Sequence, residues 1–261
     1  MSLKGLSFNR LELAGSLGDF GTLIPLSVAL IAFNGLNITV VFLMVGLFYI
    51  ATGFYYRLPV PVQPLKVVSA IAIASPLIIT PSVIAASGIV FGIILLLLVV
   101  TGLIEKLATL FTQPVIRGIQ LGLGLILMKK GFDFILKPEL LMQKPDSAFS
   151  AYGISLNLVV GIATVVVTLL LINSKKFPAA LVVITLGIAG GILAGSLNQT
   201  EFVLGPIPFG IIKPSMNDFI NATVLLVIPQ IPLTIGNAII GTSDTCISLF
   251  GKNSITEKVS Y

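Results

Sequence analysis

Apolar residues occupy this chain in long stretches separated by short polar connections. A helix needs roughly 20 mainly apolar residues to cross the hydrocarbon layer of a bilayer. By that measure the candidate membrane segments are about Gly15–Phe33, Asn37–Tyr56, Leu58–Ser75, Ser82–Gly102, Pro114–Met128, Tyr152–Ile172, Pro178–Ser196 and Asn217–Thr242. The pattern predicts an all-α polytopic membrane protein of about eight transmembrane segments. It also divides the chain into a polar N-terminus over 1–14, seven segments over 15–196, a Gly/Pro-bearing loop over 197–216, the eighth segment over 217–242 and a polar tail over 243–261.

The third segment breaks the pattern. Arg57-Leu58-Pro59-Val60-Pro61-Val62-Gln63-Pro64-Leu65-Lys66 carries three prolines, a glutamine and a lysine between long apolar runs. Pro59 and Pro61 have no amide for a helical ladder, and each pushes the residue before it toward extended geometry. From Pro64 onward the sequence is compatible with a helix, and Pro64 itself suits the first helical position. An extended segment followed by a half-helix is therefore expected, its N-terminus opening within the bilayer. Irregular backbone at that depth must be buried in protein or line a cavity.

Composition agrees with a membrane protein. Of 261 residues, 56% are hydrophobic and 10% charged, where a soluble domain has about a quarter charged. The net charge of +5 reads as lysines and arginines that orient the spans, with no nucleic-acid partner implied. Lys4, Arg10, Arg57, Lys106, Lys175, Lys176, Lys252 and Lys258 fall on one side if both termini are cytoplasmic, whereas Asn34–Asn37 and Ser75–Ser82 are uncharged. The loop Lys129–Ser150, with four lysines, is the exception to that assignment. One cysteine, Cys246, excludes an intrachain disulfide, and the absence of histidine excludes a histidine-ligated metal centre. No cofactor is implied.

Ionisable groups inside spans are costly and are functional candidates by default. Lys66, about two residues past the expected half-helix start, is placed to join backbone N–H groups around an anion; the alternative is snorkelling to an interface. Asp19, in the glycine-rich Gly15–Thr22, is a candidate partner for Lys66 or a coupling-proton acceptor, or else a helix cap. Arg117 reads as an interface anchor. Gln230 and Asn237 are seven apart and share a helical face if their helix survives Pro229 and Pro232; they either donate to an oxyanion or hydrogen-bond between helices. No nucleophile–base pair points to an enzyme. Ile24-Pro25-Leu26-Ser27 recurs as Ile231-Pro232-Leu233-Thr234, seven spans apart, and a repeat restarting after an odd number of spans is inverted in the membrane.

Gly18–Leu26, Pro59–Lys66 and Pro229–Thr234, with Pro114–Gly118 and Leu249–Lys252, together resemble the molybdate transporter family, which is related to the SulP sulfate permeases. The resemblance implies two inverted repeats of seven spans, with 15–196 as the first and 217–242 opening the second. It also implies a secondary active, alternating-access carrier of a tetrahedral oxyanion, molybdate or sulfate, in the inner membrane. Lys66 would supply charge; Gln63, Pro64 and Leu65 of the same motif, with Thr22, Gln230 and Asn237, would complete the substrate contacts, and Asp19 would couple protons. Sulfate or nucleobase permeases of the same fold are the alternative. Members of that family continue through the second repeat, so the half-helix expected opposite Lys66 is absent here. A shortened or non-transporting form is a further expectation, as is a second chain or homo-oligomer that completes the site.

Overall fold

The computed structural model describes residues 20–56, 62–111, 113–136, 156–172, 174, 179–193 and 205–236, and among these every regular element is helical. In chain order the helices are α1 (Phe20–Asn34), α2 (Ile38–Tyr56), α3 (Lys66–Ala74), α4 (Pro81–Val100), α5 (Leu103–Leu110), α6 (Gln113–Ile135), α7 (Leu156–Leu171), α8 (Ala179–Leu193) and α9 (Met216–Gly236). Three of them, α2, α4 and α9, are long and apolar enough to cross a membrane. Large apolar side chains point outward along them, among them Phe48, Ile50, Leu96, Val100 and Val224. A water-soluble surface is not built this way, and these faces suit lipid.

Two compact units make up the chain. One takes the described parts of Met1–Val28, Phe42–Gln63 and Met128–Pro208; the other takes those of Ala29–Val41, Pro64–Leu127 and Phe209–Tyr261. In the first, α7 packs against α8. Gly161 of α7 lies against Ile135, where an added Cβ would come within 2.7 Å of the isoleucine side chain. The absent side chain lets the end of α6 approach closely.

In the second unit α9 packs on both α3 and α4, and Leu233 of α9 joins Val67 of α3 and Ile116 of α6 in one buried cluster. Local sequence sets the ends of these helices. Thr80 caps α4, its Oγ1 accepting from Val83 N at 3.4 Å with Pro81 in the first helical position. Ser215 and Asp218 form a reciprocal capping box at the start of α9. At the end of α1, Gly35 adopts a positive φ of 71° and its amide bonds back to Ile31 O. The turn leaves Asn34 buried with its Nδ2 donating to Ala72 O and to Ile79 O, both at 2.9 Å. A single side chain thus ties the last turn of α3 to the connection that enters α4.

Three details differ from the sequence expectations. The helix expected from Pro64 begins at Lys66, because Leu65 remains non-helical (φ −57°, ψ 116°) and its carbonyl accepts the first helical bond, from Ser69 N at 2.8 Å. Pro64 therefore lies before the helix. Secondly, α6 continues through Lys129 and Lys130 to Ile135, into the expected polar loop. Lysine is a good helix former, and its long stem stays compatible with an apolar helix while the charge reaches water. Thirdly, the connection carrying Lys106 forms α5, which Gly102 separates from α4 with a φ of 66°. Pro59 and Pro61, and much of Lys129–Ser150, lie outside the described residues.

Replacing Asn34 with alanine removes a buried donor to Ile79 O and to Ala72 O, the latter keeping its bond from Ser75 N at 3.2 Å, and the loss of such buried bonds costs about 1–3 kcal/mol. The purified Asn34→Ala protein is expected to melt below the wild type when followed by circular dichroism. Asn34→Asp, which keeps the shape but loses the NH2, should be lowered at least as far.

Candidate functional site

The N-terminus of α3 is the best-defined polar feature in the described interior. The first amides of any helix have no partner within it. Leu65, in the cap position, has no side-chain acceptor to offer them. The need is met from another helix: Val67 N donates to Gln230 Oε1 at 2.9 Å and Val68 N donates to the same oxygen at 3.4 Å. Gln230 Nε2 in turn donates to Thr234 Oγ1 at 2.9 Å. The carboxamide is 3% exposed, and Val67 is 1% exposed beneath it. With its nitrogen held by Thr234 one turn along, the carboxamide presents oxygen, and not nitrogen, to the amides of α3.

The helix carrying Gln230 is not regular. From Ala222 to Val227 α9 is a π-helix, and from Ile228 to Leu233 it returns to α despite Pro229 and Pro232. Each proline removes a ladder bond and crowds the carbonyl four residues back, and the wider π turn just before them relieves that crowding. The helix therefore survives its prolines, with Gln230 on the face toward α3.

Lys66 is the first residue of α3, and it is exposed. Its position places a side-chain cation at the end of the helix that carries about half a positive charge from its aligned peptide dipoles. Pro64 and Leu65, half-buried, lead into it. Gln63, also half-buried, and Thr22, exposed on the first turn of α1, fall in the other compact unit. Asp19 and Asn237 lie outside the described residues. Arg117 is exposed on α6, next in sequence to the buried Ile116. Among the described residues there is no group of three or more acidic or cysteine side chains able to hold a metal ion. An apolar groove along Met216, Phe219, Ile220, Thr223 and Val224 follows an outer stripe of α9, and its lining carries no charge.

Two contributors to this site were not among the residues singled out in the sequence. Thr234 had a usable signal, its spacing of four from Gln230, which places the two side chains over one another on a helix. Asn34, which holds the far end of α3, had only its position as a lone amide at the end of an apolar span.

Long apolar helices with outward-facing hydrophobic side chains mark a helical membrane protein. Residues 11–127 match the family described as "Molybdate transporter of MFS superfamily". The chain is similar to Molybdate transporter 2 of Arabidopsis thaliana, 28% identical over 95% of this chain and 60% of that relative. It is also similar to Molybdate transporter 1 of the same plant, at 26% over 92% of this chain and 58% of the relative. Molybdate transporter 1 of Chlamydomonas reinhardtii is 36% identical over 48% of this chain and 24% of its own length. The chain thus spans about 60% of the length of the two plant relatives. No solved structure matches it.

The contact between α9 and α6 beside this site depends on a missing side chain. A Cβ added at Gly236 would collide with Ile116, whose Cγ1 lies 2.9 Å away. Gly236→Ala should therefore lower the melting temperature, and the same substitution should cost less in an Ile116→Ala background, which is itself destabilised by the lost core side chain. The two substitutions would then be non-additive in a double-mutant cycle of thermal unfolding.

Proposed function

We propose that this chain is part of a secondary active carrier of a tetrahedral oxyanion, molybdate first, and that the N-terminus of α3 forms one side of its binding site. The observation that carries this reading is the placing of Lys66 as the exposed first residue of a nine-residue helix. That helix starts within an apolar chain, directly after an extended proline-bearing segment. Helix amides, the helix dipole and a lysine ammonium are complementary to a dianion, and half-helix ends of this kind serve anionic groups in transporters. The similarity to proteins named molybdate transporters supports the same substrate class.

In this reading the oxyanion binds at Lys66, with the backbone about Pro64 and Leu65 beside it and Asn237 adding a hydrogen bond. Asp19 couples transport to protons, and the membrane is the cell's inner membrane with both termini cytoplasmic. Ile24–Ser27 and Ile231–Thr234 both lie in helices that continue through an internal proline, Pro25 and Pro232. Their shared form supports an inverted repeat and, with it, alternating access.

Uptake of radiolabelled molybdate by cells expressing the protein tests this directly. Lys66→Ala is expected to reduce uptake by about tenfold or more, as befits the loss of a charge contact to a partly desolvated dianion. Wild-type uptake in that variant would remove Lys66 from the site. Unlabelled sulfate is expected to compete more weakly than molybdate, and uracil not at all; competition by uracil would favour a nucleobase permease instead. Asp19→Asn is expected to lose the dependence of uptake on an imposed pH gradient, and full dependence in that variant would rule Asp19 out as the coupling group.

A further inference from the structure

We propose that Gln230 is a positioning residue: it caps α3 from a neighbouring helix and thereby decides which part of the helix end faces the anion. The inference rests on the oxyanion reading given above but concerns a different task from ligand contact. A capping side chain usually comes from the residue just before the helix. Here that residue is Leu65, which has no acceptor, and Val67 and Val68 are too deeply buried for water to replace it. In an apolar setting each unpaired amide is costly, so the cap has to come from another element. Gln230 supplies one oxygen to both amides.

Three consequences follow from that geometry. The second and third amides of α3 are committed to protein, so a ligand reaches the helix end at its first residue, Lys66. The carboxamide nitrogen is held by Thr234, which sets the cap's orientation and leaves Gln230 a neutral acceptor behind the anion position. Neutrality matters, because a glutamine oxygen satisfies the amides without cancelling the positive end of the dipole. A glutamate in the same place would satisfy them equally well and put a negative charge beside the incoming dianion.

The test compares Gln230→Ala and Gln230→Glu in the purified protein without ligand and in molybdate uptake. Capping predicts that the alanine variant melts well below wild type, whereas the glutamate variant melts at or above it. Positioning predicts that the glutamate variant, although stable, shows a KM for molybdate raised by about tenfold or more with a much smaller change in Vmax. A structural cap with no bearing on the anion would leave that KM unchanged, and such a result would overturn the proposal. An alanine variant with the melting temperature of the wild type would overturn it as well. If the alanine variant does not fold, capping is supported and the glutamate variant decides the rest. Should the wild type carry no molybdate, the oxyanion reading and the positioning role fall together, while the order of melting temperatures still reports on the cap.

Discussion

A helix that starts inside an apolar environment has amide groups that nothing local can satisfy, and the second compact unit is organised around that constraint. Proline at 64 and an extended Leu65 prevent the chain from supplying a helical turn before Lys66. The amides of Val67 and Val68 therefore need an acceptor from elsewhere, and Gln230 provides it across more than 160 residues of sequence. The packing around the pair follows from the same meeting. Val67 and Leu233, each close in sequence to one end of that hydrogen bond, share their buried cluster with Ile116. The polar contact fixes which turn of α9 meets which turn of α3, and the apolar cluster excludes water from it.

The two ends of α3 are treated alike. Its amides are received by a carboxamide oxygen, and one of its last carbonyls, at Ala72, is reached by the carboxamide nitrogen of Asn34. Neutral amides can serve both ends because the carboxamide carries an acceptor and donors on one short, planar group. Neither contact introduces a net charge at either end of the helix. The charge at the start of α3 is therefore that of Lys66 alone among these three side chains.

Much of the architecture was legible because apolar length is a strong signal. The second and fourth segments differ from the observed α2 and α4 by two residues or fewer at either end. Pro64 was legible as a residue that limits a helix, although α3 starts two positions later than expected. Other features were hidden for physical reasons. The start of α3 was misplaced by two residues because proline's fitness for a first helical turn does not compel it to occupy one. The extension of α6 past Lys129 was missed because lysines were read as marking the end of an apolar span, although their stems are compatible with helix. Asn34 was invisible as a clasp, since its partners are backbone carbonyls, which every residue possesses. Gln230 was read as a possible ligand donor or a helix–helix contact, and only the coordinates distinguish which of its two polar atoms faces α3.

The π-helical stretch in α9 has a bearing on all of this that its chemistry alone conceals. Ala222–Val227 contributes no hydrogen-bonding side chain toward α3, and three of its six residues are simply buried. A π turn, however, holds one more residue than an α turn, so everything beyond it is rotated by about 100° relative to an uninterrupted α-helix. The heading of Gln230 around the axis of α9 thus depends on backbone winding upstream as well as on its own hydrogen bonds. Removing one residue from this stretch would preserve every functional group in the protein and still swing the carboxamide away from the helix it serves.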